Sequence, residues 1–158
     1  MQEIRESFSE GELVAYWIKI NYERNIYLID IDSITAFFCQ ENKRITFWLP
    51  NSSQEITLNK QNCEHDYQSV LFYLKKKIET GEQTNNEWWV KIIYERQEWL
   101  IDLSCITTFV GEPNGRITFW LPDSKKDIII NPNRDKEAYQ KVSEFIKKVT
   151  GCSLSMNN

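Results

Sequence analysis

The sequence predicts an α+β fold made of two tandem ββββα repeats that pack together as one pseudo-twofold body. Three observations lead to this prediction. The chain matches itself at a fixed offset that places Trp17 on Trp89, apolar and polar residues alternate with the period of a β-strand, and each copy ends in apolar residues at helical spacing. We therefore expect antiparallel sheets, each with one amphipathic helix at its C-terminal end.

The internal repeat is the strongest feature of the chain. Between Trp17 and Asn59, 23 of 43 positions are identical to the residue 72 positions later, and the longest uninterrupted match is RITFWLP at 44–50 and 116–122. This indicates a tandem duplication. The expected organisation is an N-terminal arm at 1–15, repeat 1 at 16–81, a polar linker at 82–87, repeat 2 at 88–151 and a C-terminal tail at 152–158.

The first two strands of each copy form a predicted hairpin. In the strand from Trp17 to Arg24, isoleucines and tyrosine alternate with polar residues. A polar turn at Arg24–Asn25 leads to the second strand. We expect this second strand to run on, through a bulge, as far as Phe38.

Two further strands and a helix complete each copy. The third strand is predicted from Arg44 to Leu49 and the fourth from Glu55 to Leu58. Gly81 and Gly151 follow the two amphipathic segments, at the place where a C-cap glycine ends a helix. The first fifteen residues have no counterpart in the repeat, and we expect a frayed arm or a short helix there.

Composition and charge exclude several classes of function. The 158 residues carry a net charge of −4, and neither half is basic, which argues against a broad surface for nucleic acid. No run approaches the roughly 18 apolar residues of a membrane span. The segment Met1–Ser7 is polar and acidic, unlike a secretory signal. We expect a cytoplasmic protein without membrane contact.

The cysteines indicate neither disulfides nor a metal site. They lie far apart in the sequence, and none has a cysteine or histidine at the spacing of a zinc ligand pair. We expect free thiols, no metal and no cofactor. His65, the single histidine, is predicted at the start of a helix, so no nucleophile–histidine set can be assembled.

Large aromatic residues recur on the second face of each predicted sheet. Among the 21 aromatic residues, two tryptophans per copy alternate with lysine or threonine, away from the face that the isoleucines supply to the core. Burying one such ring contributes about 2–3 kcal/mol, so we expect each to be covered by the other copy, a second protomer or a ligand. The interface or ligand candidates are Trp17, Lys19, Trp48, Trp89, Lys91 and Trp120.

The repeated charged residues have a structural interpretation. Cross-strand ion pairs are expected between Asp30 and Arg44 in the first copy and between Asp102 and Arg116 in the second. Exposed pairs of this kind contribute about 1 kcal/mol or less.

These features favour a non-enzymatic binding or scaffold protein that acts through a protein partner or through self-association into a homo-oligomer. One alternative is a binder of small ligands or single-stranded nucleic acid that uses the tryptophan and lysine faces, although the acidic balance disfavours nucleic acid. A second alternative is an enzyme built on the carboxylates of Asp30, Asp102, Glu23 and Glu95. It requires those groups to converge in one cleft.

Overall fold

The computed structural model describes residues 3–5, 16–50, 52, 54–79, 87–124 and 126–154. After β1 (Glu3–Arg5), a first segment contains β2 (Tyr16–Tyr22), β3 (Asn25–Asp30), β4 (Ala36–Gln40), β5 (Arg44–Trp48), β6 (Glu55–Asn59) and α1 (Glu64–Glu79). A second segment contains β7 (Trp89–Tyr94), β8 (Gln97–Asp102), β9 (Phe109–Gly111), β10 (Ile117–Trp120), β11 (Asp127–Ile130) and α2 (Lys136–Thr150).

The fold is α+β with antiparallel sheets, as expected, but each segment has five strands before its helix instead of four. A short 3-10 helix, Ile31–Ser33 in the first segment and Leu103–Cys105 in the second, separates the second strand from the third. In both places an aspartate forms the N-cap, and its side chain accepts a hydrogen bond from the backbone N–H two residues on. This local bond ends the strand where a continuous strand was predicted.

The first hairpin turn lies one residue earlier than predicted. It consists of Glu23 and Arg24, with φ angles of 50° and 69°, and the second segment repeats it at Glu95 and Arg96 with 54° and 64°. Two consecutive residues in the left-handed region are typical of the type I′ turn, whose twist matches that of the flanking strands. The turn is formed without the glycine or asparagine that would have marked it in the sequence.

Pairing of β4 with β8 joins the two segments edge to edge. It produces a five-stranded sheet of order β6-β5-β4-β8-β7, while the remaining described strands form the sheets β1-β2-β3 and β11-β10-β9. The strands that meet are the third of one segment and the second of the other. A twofold contact would bring equivalent elements together, so the expected pseudo-twofold packing is not confirmed.

The five-stranded sheet separates two apolar cores. Phe37 and Leu100, which face each other across β4 and β8, belong to the first core, which α1 covers. Their neighbours Ala36 and Ile101 point to the opposite face and belong to the second core, which α2 covers. Each core therefore contains side chains from both segments, because alternate residues of one strand point to opposite faces of the sheet.

The ends of the segments differ partly from expectation. Residues 3–5 lie within the predicted arm and form a strand antiparallel to β2 instead of a helix. The rest of the arm, Gly81 and most of the predicted linker lie outside the described residues. Gly151 ends α2 as predicted, with a φ of 75° and an N–H that donates to the Lys147 carbonyl. Neither helix in the described parts of the chain has both the length and the apolar character needed to cross a bilayer.

Candidate functional site

Two of the four singled-out tryptophans are covered at the junction between the segments. Trp89 is only 4% exposed and packs in the first core, with its ring 6.0 Å from that of Phe37. Trp48 is half-buried, and its ring lies parallel to that of Trp99 with 6.0 Å between the ring centres. In both contacts the partner ring belongs to the other segment.

The other two tryptophans lie open at the outer ends of the molecule. Trp17 on β2 is 37% exposed and Trp120 on β10 is 45% exposed. They are the sequence counterparts of Trp89 and Trp48, respectively. Identical residues thus have different environments, because the junction covers one member of each pair and the chain leaves the other uncovered.

The two candidate lysines have different surroundings. Lys91 is exposed and forms a salt bridge to Glu98, with 3.2 Å between its Nζ and the carboxylate. Its counterpart Lys19 is half-buried. The two lysines lie on β2 and β7, which belong to different sheets, and each is two residues from the tryptophan of its own strand.

A strand edge in the first segment exposes aliphatic residues that sequence analysis did not identify. Leu28 on β3 is 58% exposed, whereas Leu100, the same residue in the second segment, is 5% exposed. Ile26, also on β3, is 65% exposed. The difference arises because β4 pairs with β8, while β3 has β2 as its neighbour in the described residues and keeps its other edge free. Local alternation predicts the strand but does not indicate which edge is covered.

A second free edge lies at the other end of the molecule. β9 pairs with β10 and is the last strand of this sheet in the described residues; Val110 on this strand is exposed, while Gly111 lies against Leu154. Phe109 points inward and packs against Phe119 and Phe145. Unpaired edges of this kind offer a row of N–H and C=O groups to another strand.

An aromatic groove of about 440 Å³ crosses the junction. Trp99 is stacked between Phe38, with 4.4 Å between the ring centres, and Trp48. Gln97 lines the same groove, and its side-chain oxygen is buried and accepts no hydrogen bond from the described residues. A buried, unpartnered acceptor is costly in a folded protein, so a polar group from a ligand would be favoured there.

Asp30 and Asp102 close their hairpins, and neither forms a salt bridge to arginine among the described side chains. Asp102 accepts hydrogen bonds from the N–H groups of Trp88 at 2.8 Å and Ser104 at 3.1 Å, and from the Ser104 hydroxyl at 2.7 Å. Asp30 accepts from Tyr16 N–H at 3.3 Å and Asp32 N–H at 3.1 Å. These backbone bonds fix the strand ends to the 3-10 helices.

The expected ion pairs are not among the salt bridges of the described residues, because the partners lie in different sheets. Asp30 ends β3 while Arg44 lies on β5 of the five-stranded sheet. Arg116 instead contacts Glu112, with 3.0 Å between nitrogen and oxygen. The Thr118 hydroxyl and the Arg116 guanidinium both donate to Glu112 and lower the pKa of its carboxyl.

A polar cluster specific to the first segment links α1 to the 3-10 helix and to the start of the second segment. The Tyr73 hydroxyl donates to Asp32 at 2.6 Å, and Lys77 lies 3.9 Å from Asp32 and 2.8 Å from Glu87. Burial raises the pKa of Asp32, and burial together with the bond to Asp32 raises the pKa of Tyr73. The second segment has Phe145 at the position of Tyr73 and cannot form this cluster.

Catalytic and metal-binding arrangements receive little support from the placement of the carboxylates. Glu23 and Glu95 stand exposed in the tight hairpin turns, while Asp30 and Asp102 are engaged by backbone N–H groups. Among the described residues, no group of three or more histidine, cysteine, aspartate or glutamate side chains could hold a metal ion.

The cysteines are free thiols, as expected from their spacing. Burial raises the pKa of Cys39 to about 12 and that of Cys105 to about 11, whereas Cys152 is exposed at the end of α2. Comparison with known protein families, with curated proteins and with solved structures found no match to this chain.

Proposed function

We propose that this chain is a non-enzymatic binding or scaffold protein that acts through protein–protein contact, including contact with itself. The observation that carries the proposal is the exposure of Leu28, whose counterpart Leu100 is buried at the junction. The same surface chemistry thus occurs twice in the molecule, once covered by a protein strand and once free.

The energetics support a protein partner for the free surface. Leu28, Ile26 and Trp17 lie on one hairpin, and large side chains of this kind contribute about 1.5–3 kcal/mol each when they leave water. An adjacent strand edge can add backbone hydrogen bonds, which give such contacts their register. An apolar strand edge left bare would instead be a site of aggregation.

Site-specific cross-linking tests this proposal. A photo-crosslinking amino acid is placed at the position of Leu28 or Trp120, with Phe72 as the matched control, since it is an exposed aromatic residue (53%) on α1. We expect protein adducts from the first two positions and few from the control. Equal yields from all three positions, or no protein adduct from Leu28 and Trp120, would contradict the proposal.

A second candidate function is suggested by the aromatic groove. The unpartnered Gln97 oxygen and the stack of Trp48 on Trp99 favour a small planar ligand with a hydrogen-bond donor. Tryptophan fluorescence would be titrated with nucleobases and aromatic acids, and Trp48→Ala should remove any response while Trp17→Ala keeps it. A response that survives Trp48→Ala would place the ligand elsewhere.

A further inference from the structure

The junction inside the chain provides a template for a contact between chains. β4 pairs antiparallel with β8 in the register Ala36↔Ile101, Phe37↔Leu100, Phe38↔Trp99 and Cys39↔Glu98. The counterparts of these strands are β9 and β3, which lie in different sheets and are both edge strands in the described part of the chain. In the described part of the chain, each molecule therefore has a second copy of each half of its own junction that pairs with no further strand.

We propose that β9 of one molecule pairs antiparallel with β3 of a second copy of this chain, so that copies assemble head to tail. This proposal rests on the proposed function and names a second copy of this chain as the protein partner. The internal register, shifted by 72 positions, gives the contacts Thr108↔Ile29, Phe109↔Leu28, Val110↔Tyr27 and Gly111↔Ile26. The sequence supplies apolar or small residues at nearly every one of these positions.

The side chains match the template. At the junction Leu100 lies opposite Phe37 in the first core, and the new contact places Leu28 opposite Phe109, which is the same pair of residue types. Trp99 stacks between Phe38 and Trp48. In the new contact Tyr27 would occupy the corresponding place beside Trp120.

Pairing of β9 with β3 of a second copy would also cover the exposed side chain of Trp17. Trp89 is buried in the first core, where β7 contacts α1. In the assembly β2 and β3 of the second copy take that position under α2, so Trp17 becomes buried as Trp89 is. The contact joins different surfaces of the two copies. One copy therefore keeps an unpaired β3 and the other an unpaired β9, and further copies can add at both ends.

The C-terminal tail is placed to compete with this contact. Leu100 lines a cavity with Leu71, Leu74 and Lys75 of α1. At the matching place on α2, Leu154 of the tail lines a cavity with Ser143, Ile146 and Lys147. Leu154 thus occupies the position that Leu28 of a second copy would take, and it must be displaced on assembly.

Charge substitutions on the two edges test the proposal. Leu28→Lys blocks β3 and Val110→Lys blocks β9, and both sites are exposed in the single chain, so folding should be unaffected. Sedimentation velocity is measured up to about 1 mM, together with Leu154→Ser and the control Phe72→Lys. We expect concentration-dependent association of the wild type and Phe72→Lys, stronger association of Leu154→Ser, and at least about 100-fold weaker association of each edge variant.

Mixing the two edge variants gives the decisive result. Leu28→Lys keeps a free β9 and Val110→Lys keeps a free β3, so an equimolar mixture should form a 1:1 dimer and stop there, although each variant alone is monomeric. Three results would overturn the proposal. The mixture could stay monomeric while the wild type associates, or the edge variants could associate as the wild type does. The third result is that the wild type and Leu154→Ser are both monomeric. Cross-linking of the Leu28 position to a different protein would leave the proposed function standing in each of these cases.

Discussion

Leu100 and Leu28 occupy equivalent positions on equivalent strands, and replacing each with alanine should have very different effects on the free energy of unfolding. Leu100 is 5% exposed and packs in the first core, so Leu100→Ala removes buried methyl groups and leaves a cavity. Substitutions of this type cost about 2–5 kcal/mol. Leu28 is mostly exposed in the single chain, so Leu28→Ala should cost less than about 1 kcal/mol.

The comparison is well controlled, because both residues lie in the second strand of a hairpin and undergo the same chemical change. The two substitutions differ in strand context, since Leu100 lies on a central strand and Leu28 on a strand that is at an edge in the described residues. Urea unfolding followed by tryptophan fluorescence at about 1 µM, where weak association is negligible, gives both values.

Two results would refute the reasoning. If Leu28→Ala is as destabilising as Leu100→Ala at this dilution, β3 is covered within the single chain and has no free edge to offer. If Leu100→Ala is nearly neutral, the junction of β4 with β8 does not hold the two segments together.

Three further predictions follow from individual side chains. Burial raises the pKa of Asp66, so wild-type stability falls as the pH rises through that pKa. Asp66→Asn should remove this fall, and thermal melts over a pH series should show a flatter pH dependence for the variant than for the wild type. Tyr73→Phe removes the bond to Asp32 and should cost about 1–2 kcal/mol in urea unfolding. At pH 8, mass spectrometry should find that iodoacetamide modifies Cys152 at least about 100-fold faster than Cys39, whose burial raises its pKa to about 12.

Local features of the fold could be predicted from the sequence because they depend on local patterns. Alternation with period two places β2 and β5 within a residue or two, and the glycine at 151 marks the end of α2. The 3-10 helices escaped prediction, since the apolar pattern continues through Ile31 and Ile34 while the Asp30 side chain bonds the backbone and ends the strand.

Long-range features could not be predicted, because the repeat gives the candidate partner strands similar apolar patterns. β4 and β9 each carry a phenylalanine at the equivalent position, and β3 and β8 each carry a leucine. Nothing local decides which of these strands pair. The expected ion pair of Asp30 with Arg44 assumed that both residues belong to one sheet, whereas β3 and β5 lie in different sheets.

Whether a repeated side chain is buried depends on its position in the molecule and not on its residue type. Members at the junction, such as Trp89 and Leu100, are buried, whereas their counterparts at the outer ends, Trp17 and Leu28, are exposed. If the end surfaces only faced water, polar residues there would not lower the stability of the single chain. They would also lower the risk of aggregation. The end surfaces instead keep large apolar residues such as Trp17 and Leu28, which are the same residue types as their buried counterparts Trp89 and Leu100. This supports the proposal that the contact within the chain is the first step of an assembly whose next step is made between chains.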